Sequence, residues 1–212
     1  MVRIFDDIQA CSTADVARLQ QKVAIYSPAR CEKASRYKDL YAQWTCLKAF
    51  ELIIDFLEPQ GIQPPLDIVL NGYGKPFLVK NGTPLEYHIS ISHCKKGVAV
   101  AFDKSPVGVD MESFRNVRES LIAKTMNAHE QQAIRHAKEP MMEFLKFWTR
   151  KEAYLKLLGT GIQSLEKLPE ILADFEPQTA ETYQSQQIQI QTFVVPQKEY
   201  VYSVAKKSAI LV

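Results

Sequence analysis

The chain has 212 residues, 46% of them hydrophobic, and its 26 Lys and Arg against 24 Asp and Glu leave a formal charge of +2. That length and apolar content bury a core as one large domain or two small ones, which excludes a disordered polypeptide. The near balance of charge excludes the bulk basic field that nucleic-acid binding draws on, so any anion site is local.

The opening MVRIFDDIQA carries acids where a signal peptide carries its basic region. No run approaches the roughly 18 apolar residues of a membrane span, and the expectation is a soluble cytoplasmic protein without a membrane partner. Cys11, Cys31, Cys46 and Cys94 are scattered with no Cys-x-x-Cys pair, as reduced thiols that fill apolar space. Residues 12–26 and 29–57 carry helical signals, the second ended by Pro59, Gly61, Pro64 and Pro65. The pattern then turns to short strands at 68–71, 77–79 and 87–92, with an Asn81, Gly82 turn before the last.

In that last strand Tyr87, Ile89 and Ile91 alternate with His88, Ser90 and Ser92, so one face is apolar and is expected to meet the core. Lys95, Lys96 and Gly97 make a turn into a strand at 98–102, and another strand follows at 107–112. Residues 121–136 and 142–158 read as helices, the latter ended by Gly159 and Gly161. Strands at 187–195 and 200–205, joined by a turn at 196–198, close the chain. Helix followed by strands thus occurs twice, without an evident sequence repeat. The expected organisation is an α/β (α+β) chain of two lobes, 1–105 and 106–212.

Asp110 and Glu112 stand two apart in VGVDME, so a strand projects both carboxylates to one side, with Val109 and Met111 on the other. Paired like charges are tolerated where a hard divalent cation takes their oxygens, although an exposed acidic strand end gives the same spacing. A third acid, Glu152, shares a helical face with Trp148 and Lys156 at i, i+4, i+8 spacing.

VGVDME followed by FWTRKEAYLK resembles the paired signature of the Sfp-type 4'-phosphopantetheinyl transferases. GKPFL at Gly74 to Leu78, HISISH at His88 to His93 and SPARCEK at Ser27 to Lys33 resemble further blocks of that family, in the same order. The resemblance implies a two-lobed pseudodimer, monomeric, with coenzyme A held between the lobes and Mg2+ on its pyrophosphate. It implies that Asp110, Glu112 and Glu152 are metal ligands. Arg30, Lys33, Lys75, Pro76, Ser92 and His93 would hold the nucleotide and its phosphates, and Lys156 the pyrophosphate. The implied reaction moves phosphopantetheine from coenzyme A to a serine of an acyl or peptidyl carrier protein, with Glu152 as base and Lys156 on the leaving side. The inventory suits that chemistry, because a pyrophosphate and a 3'-phosphate need several cations and a metal.

One departure stands out. The family places an arginine for the 3'-phosphate about where Trp44 falls; Trp44 offers either a stacking surface for adenine or a core side chain, and Arg36 or Lys48 are the candidate replacements. A catalytically silent carrier-binding relative, or another metal-dependent phosphotransferase, are the rival readings. The first has no use for the full set Asp110, Glu112, Glu152 and Lys156, and the second leaves GKPFL and HISISH unexplained.

Overall fold

The computed structural model describes residues 1–7, 11–162, 165–177, 179, 181–185 and 187–207, and the chain divides into two compact units, Met1–Lys104 and Ser105–Val212. In the first unit, β1 (Val2–Phe5) is followed by helices α1 (Thr13–Tyr26), α2 (Pro28–Ser35) and α3 (Leu40–Leu57). Strands β2 (Asp67–Leu70), β3 (Pro76–Lys80), β4 (Thr83–Cys94) and β5 (Gly97–Asp103) complete it. The sheet order is β1-β5-β4-β3-β2, antiparallel at every pair. The second unit repeats the plan: β6 (Val107–Ser113), then α4 (Glu119–Thr125), α5 (Ala128–His136) and α6 (Pro140–Leu158). Its four further strands are β7 (Glu176–Pro177), β8 (Thr182–Gln184), β9 (Ile188–Val195) and β10 (Tyr200–Lys207). The order is β6-β10-β9-β8-β7. The expected α+β class with two similar lobes is what the structure has.

Side-chain caps decide where several helices start. Ser12 accepts the Asp15 N–H at 3.1 Å to open α1, whose Val16, Leu19, Val23 and Tyr26 are buried at helical spacing. The single helix expected over 29–57 is two helices, because Asp39 accepts the Ala42 N–H at 2.8 Å and starts α3 afresh. The helix expected over 121–136 is also split: Asn127 and Glu130 form a capping box that opens α5. Gly159, at φ 75°, ends α6 in the left-handed conformation. Asn81 and Gly82, with φ of 50° and 78°, make the tight hairpin between β3 and β4. β1, β7 and β8 were not expected; they are too short to show periodicity.

Packing then fixes the frame. In the first unit Phe50, Ile53, Ile54 and Leu57 of α3 are buried with Ile89 of β4 and Val98, Val100 and Phe102 of β5. β4 is the central strand; its Tyr87, Ile89 and Ile91 face meets that core as expected, and Ser90 and Ser92 on the other face are buried as well. In the second unit α6 is joined to the sheet by a buried polar chain. Thr149 Oγ1 meets Ser203 Oγ at 2.8 Å, Ser203 meets Thr192 at 3.0 Å, and Arg150 Nε donates to Thr192 Oγ1 at 2.9 Å. Among the described residues no helix is long and apolar enough to cross a membrane.

Candidate active site

The acids of β6 and the charged face of α6 meet because of a glycine. Gly108 lies two residues before Asp110 and shares its face, and a Cβ there would fall 1.9 Å from Ala153 O and 2.5 Å from Leu157 N. The α6 backbone therefore lies directly against β6, with Glu152 and Lys156 flanking the contact. Val109 and Met111, on the reverse face, are buried. The motif reading of VGVDME attended to its acids and passed over Gly108, whose signal was a small residue in an apolar strand.

Asp110 is 6% exposed and its Oδ1 accepts from Lys156 Nζ at 2.7 Å. Glu112 is half-buried; Arg115 Nε stands 3.4 Å from its Oε2, and the Trp148 indole N–H donates to its carboxylate. Burial, then the neighbouring Asp110 charge, raise the Glu112 carboxyl, against the lowering effect of Arg115 and Trp148. The Glu152 carboxyl is pushed up to about 7 by burial first, with Asp110 and Glu112 adding repulsion and Lys156 opposing it. The structure thus brings Asp110, Glu112, Glu152 and Lys156 into one electrostatic group.

Among the described residues no three His, Cys, Asp or Glu side chains form a ready-made metal cage. The donor set nevertheless suits a hard divalent cation: three carboxylates, with the charge of Asp110 acting on both Glu112 and Glu152. Asp110, Glu112 and Glu152 are the residues that would hold it.

Lys151, next to Glu152, faces elsewhere. It is 1% exposed; its Nζ binds Glu130 Oε2 at 2.6 Å and donates to Thr125 O and Leu168 O at 2.9 and 2.8 Å. One ammonium thereby joins α6 to the end of α4, the cap of α5 and the 3-10 turn at Leu165–Glu170. Sequence reasoning gave Lys151 no role, since its neighbour carried the motif.

The first unit holds a separate feature, a cavity of about 350 Å³ lined by Arg30, Lys33, Tyr37, Thr45, Cys46 and His93, among others. Three of the expected phosphate-binding residues, Arg30, Lys33 and His93, come together there; among the described residues its lining does not include Lys75, Pro76 or Ser92. Arg30 Nε is buried and makes no hydrogen bond, and the guanidinium lies over Phe50, 5.9 Å from the ring centre. Lys75 is in the turn before β3, where its N–H donates to Asn71 Oδ1 at 2.8 Å and burial lowers its ammonium pKa. Pro76 begins β3, and Ser92 is buried on β4.

Trp44 is a core residue, wholly buried, with its indole N–H donating to Asp15 Oδ2 at 2.6 Å and its ring stacked on Tyr41. Adenine stacking on Trp44 is excluded by that burial. Of the candidate replacements, Lys48 is committed to a buried pair with Glu51 at 2.6 Å, whereas Arg36 makes only an exposed surface pair with Glu32 at 2.6 Å.

The region that carries the acidic pair and the α6 face has a known counterpart. Residues 106–205 match the 4'-phosphopantetheinyl transferase superfamily, which bears out the resemblance read from VGVDME and FWTRKEAYLK.

Among individual relatives, the chain is 29% identical over 117 residues to 4'-phosphopantetheinyl transferase gsp of Aneurinibacillus migulanus, covering 53% of this chain and 47% of that one. It is 33% identical over 93 residues to 4'-phosphopantetheinyl transferase psf-1 of Bacillus pumilus, covering 43% and 39%. It is 30% identical over 114 residues to 4'-phosphopantetheinyl transferase HetI of a Nostoc species, covering 51% and 48%. The chain thus spans less than half the length of each of these relatives.

Proposed function

We propose that this protein is a magnesium-dependent 4'-phosphopantetheinyl transferase that takes the phosphopantetheine group from coenzyme A and attaches it to a serine of an acyl or peptidyl carrier protein. It acts as a cytoplasmic monomer in this reading. The observation that carries the proposal is the joining of Asp110 and Glu112 on β6 to Glu152 and Lys156 on one face of α6, with Lys156 2.7 Å from Asp110. The superfamily match over residues 106–205 adds the class of chemistry.

The roles follow from charge. Bound magnesium would supply positive charge to a pyrophosphate and lower the proton affinity of the acids that hold it. Glu152, the third carboxylate of that set, stands on the α6 face beside Lys156 and is the general base in this reading. It takes the proton of the serine hydroxyl as the serine oxygen bonds to the β-phosphorus. The bond from that phosphorus to 3',5'-ADP breaks, and the Lys156 ammonium neutralises the charge gathering on the departing phosphate. In the first unit, Arg30, Lys33 and His93 offer a cavity for a phosphate of the nucleotide, where the unsatisfied Arg30 Nε gains an acceptor. Lys75, Pro76 and Ser92 contact the nucleotide outside that cavity.

The test is incubation with coenzyme A, magnesium and a panel of apo carrier proteins, followed by intact mass measurement. Addition of phosphopantetheine to at least one carrier, dependent on both magnesium and coenzyme A, is expected. Binding of carriers without any mass gain would instead identify a silent relative.

A further inference from the structure

The residues proposed as metal ligands are not gathered into a cage, and a side chain of the protein itself stands among them. Lys156 reaches across from α6 and places its ammonium 2.7 Å from Asp110 Oδ1. Asp110 is 6% exposed, so water screens this pair poorly, whereas the lysine stem is 29% exposed and has room to swing away. The contact depends on the close approach at Gly108, which sets α6 against β6 one turn before Lys156. Glu112 meanwhile is held by Arg115 and the Trp148 indole. Two of the three acids are thus each occupied by a cation of this chain.

We infer that Lys156 is a built-in competitor for the metal: in the metal-free protein its ammonium occupies Asp110, and a divalent cation enters the site only by displacing it. This rests on the reading of Asp110, Glu112 and Glu152 as metal ligands. The consequence is an exchange of partners. A cation alone must break the pair between Lys156 and Asp110 and meets the repulsion of the nearby ammonium, so the free protein binds metal weakly. When a pyrophosphate arrives with the metal, it provides the displaced ammonium with another anion, and the two ligands favour one another. Lys156 then serves in turn as keeper of the empty site and as a cation for the phosphate.

The experiment uses Mn2+ alone, with no nucleotide and no carrier protein, and reads the free ion by electron paramagnetic resonance during a titration of the full chain. Wild type is compared with Lys156→Met, Lys156→Gln, Lys156→Arg and Asp110→Asn. A half-buried ion pair lies between the few-fold effect of an exposed pair and the several-hundred-fold effect of a buried one, so the methionine and glutamine variants are expected to bind Mn2+ about tenfold more tightly. Lys156→Arg keeps the charge and stays within about threefold of wild type. Asp110→Asn loses at least about tenfold. Denaturant unfolding checks that each variant is folded, and the glutamine variant covers the case in which methionine is not tolerated. If Asp110→Asn weakens binding but removal of the Lys156 charge leaves affinity unchanged or lower, the inference is overturned and the ligand assignment survives. If Asp110→Asn binds as wild type does, the ligand assignment itself is wrong, and the inference goes with it.

Discussion

Replacing Glu152 with Gln in the metal-free protein should raise stability at alkaline pH while removing activity. The Glu152 carboxyl moves from 4.5 to about 7 on folding, because burial and the charges of Asp110 and Glu112 penalise its ionised form. The native state therefore binds this proton more tightly than the unfolded chain does. The stabilisation it provides is fully present below about 4.5 and is lost as the pH rises through about 7. At about 1.4 kcal/mol per pH unit, the wild type gives up at most about 3 kcal/mol by pH 8, and partial exposure of the carboxyl reduces this to about 1–2 kcal/mol. Glutamine keeps the shape and has no proton to lose. The assay is urea unfolding of both proteins in a chelator between about pH 4.5 and pH 8, together with single-turnover transfer at saturating coenzyme A and magnesium. The variant should match the wild type at the acid end, exceed it at the alkaline end, and transfer roughly 10²–10⁴ times more slowly through loss of the base. A stability difference that stays constant across that range, or a variant that transfers within threefold of wild type, would refute the reasoning.

Gly108→Ala must move α6 outward by about 1.1 Å to lift the 1.9 Å approach to Ala153 O to a tolerable 3.0 Å. It should cost about 1–3 kcal/mol by denaturant unfolding and depress transfer by carrying Glu152 and Lys156 away from Asp110 and Glu112. Lys151→Met leaves Glu130 buried without its ammonium, and a loss of about 3–5 kcal/mol is expected, with the second unit failing first in limited proteolysis. In the first unit, burial pushes the Glu51 carboxyl up, but hydrogen bonds from Arg18 and Lys48 outweigh it and hold the group at about 2. Its contribution of about 3 kcal/mol is present above about 4.5 and is lost as the pH falls toward 2, so Glu51→Gln should flatten the acid limb of the stability profile. Calorimetric titration should find coenzyme A bound more tightly than dephospho-coenzyme A, a preference that Arg30→Met removes; equal affinities in the wild type would count against a phosphate in the Arg30, Lys33 and His93 cavity.

Much of this arrangement could be read in the sequence because it is encoded locally. The acids of VGVDME are two apart and Glu152 and Lys156 four apart, so the strand and helix periods alone decide which side chains share a face. Helix breaks at Asn127 and Asp39 were missed although both are ordinary cap residues, since the apolar pattern runs on across them and hides the new start. Lys151 and Gly108 were missed for a different reason. Their meaning lies in what sits opposite them, Glu130 from α5 in one case and the α6 backbone in the other, and no spacing along the chain reports that. Trp44 shows the same limit, because only its Asp15 partner and complete burial decide between a ligand surface and a core ring.

The strand order bears on how such a chain can be assembled. In each unit the first strand lies beside the last, with Val2 opposite Ala101 and Val107 opposite Lys206, so the stretch of about a hundred residues begins and ends at neighbouring points. A module whose two ends lie side by side behaves as a cassette: it can be copied in tandem, or spliced into a longer polypeptide, with only the few residues between Asp103 and Val107 as the join. Two such cassettes can differ in sequence, as these do, provided that each keeps the pairing that closes it.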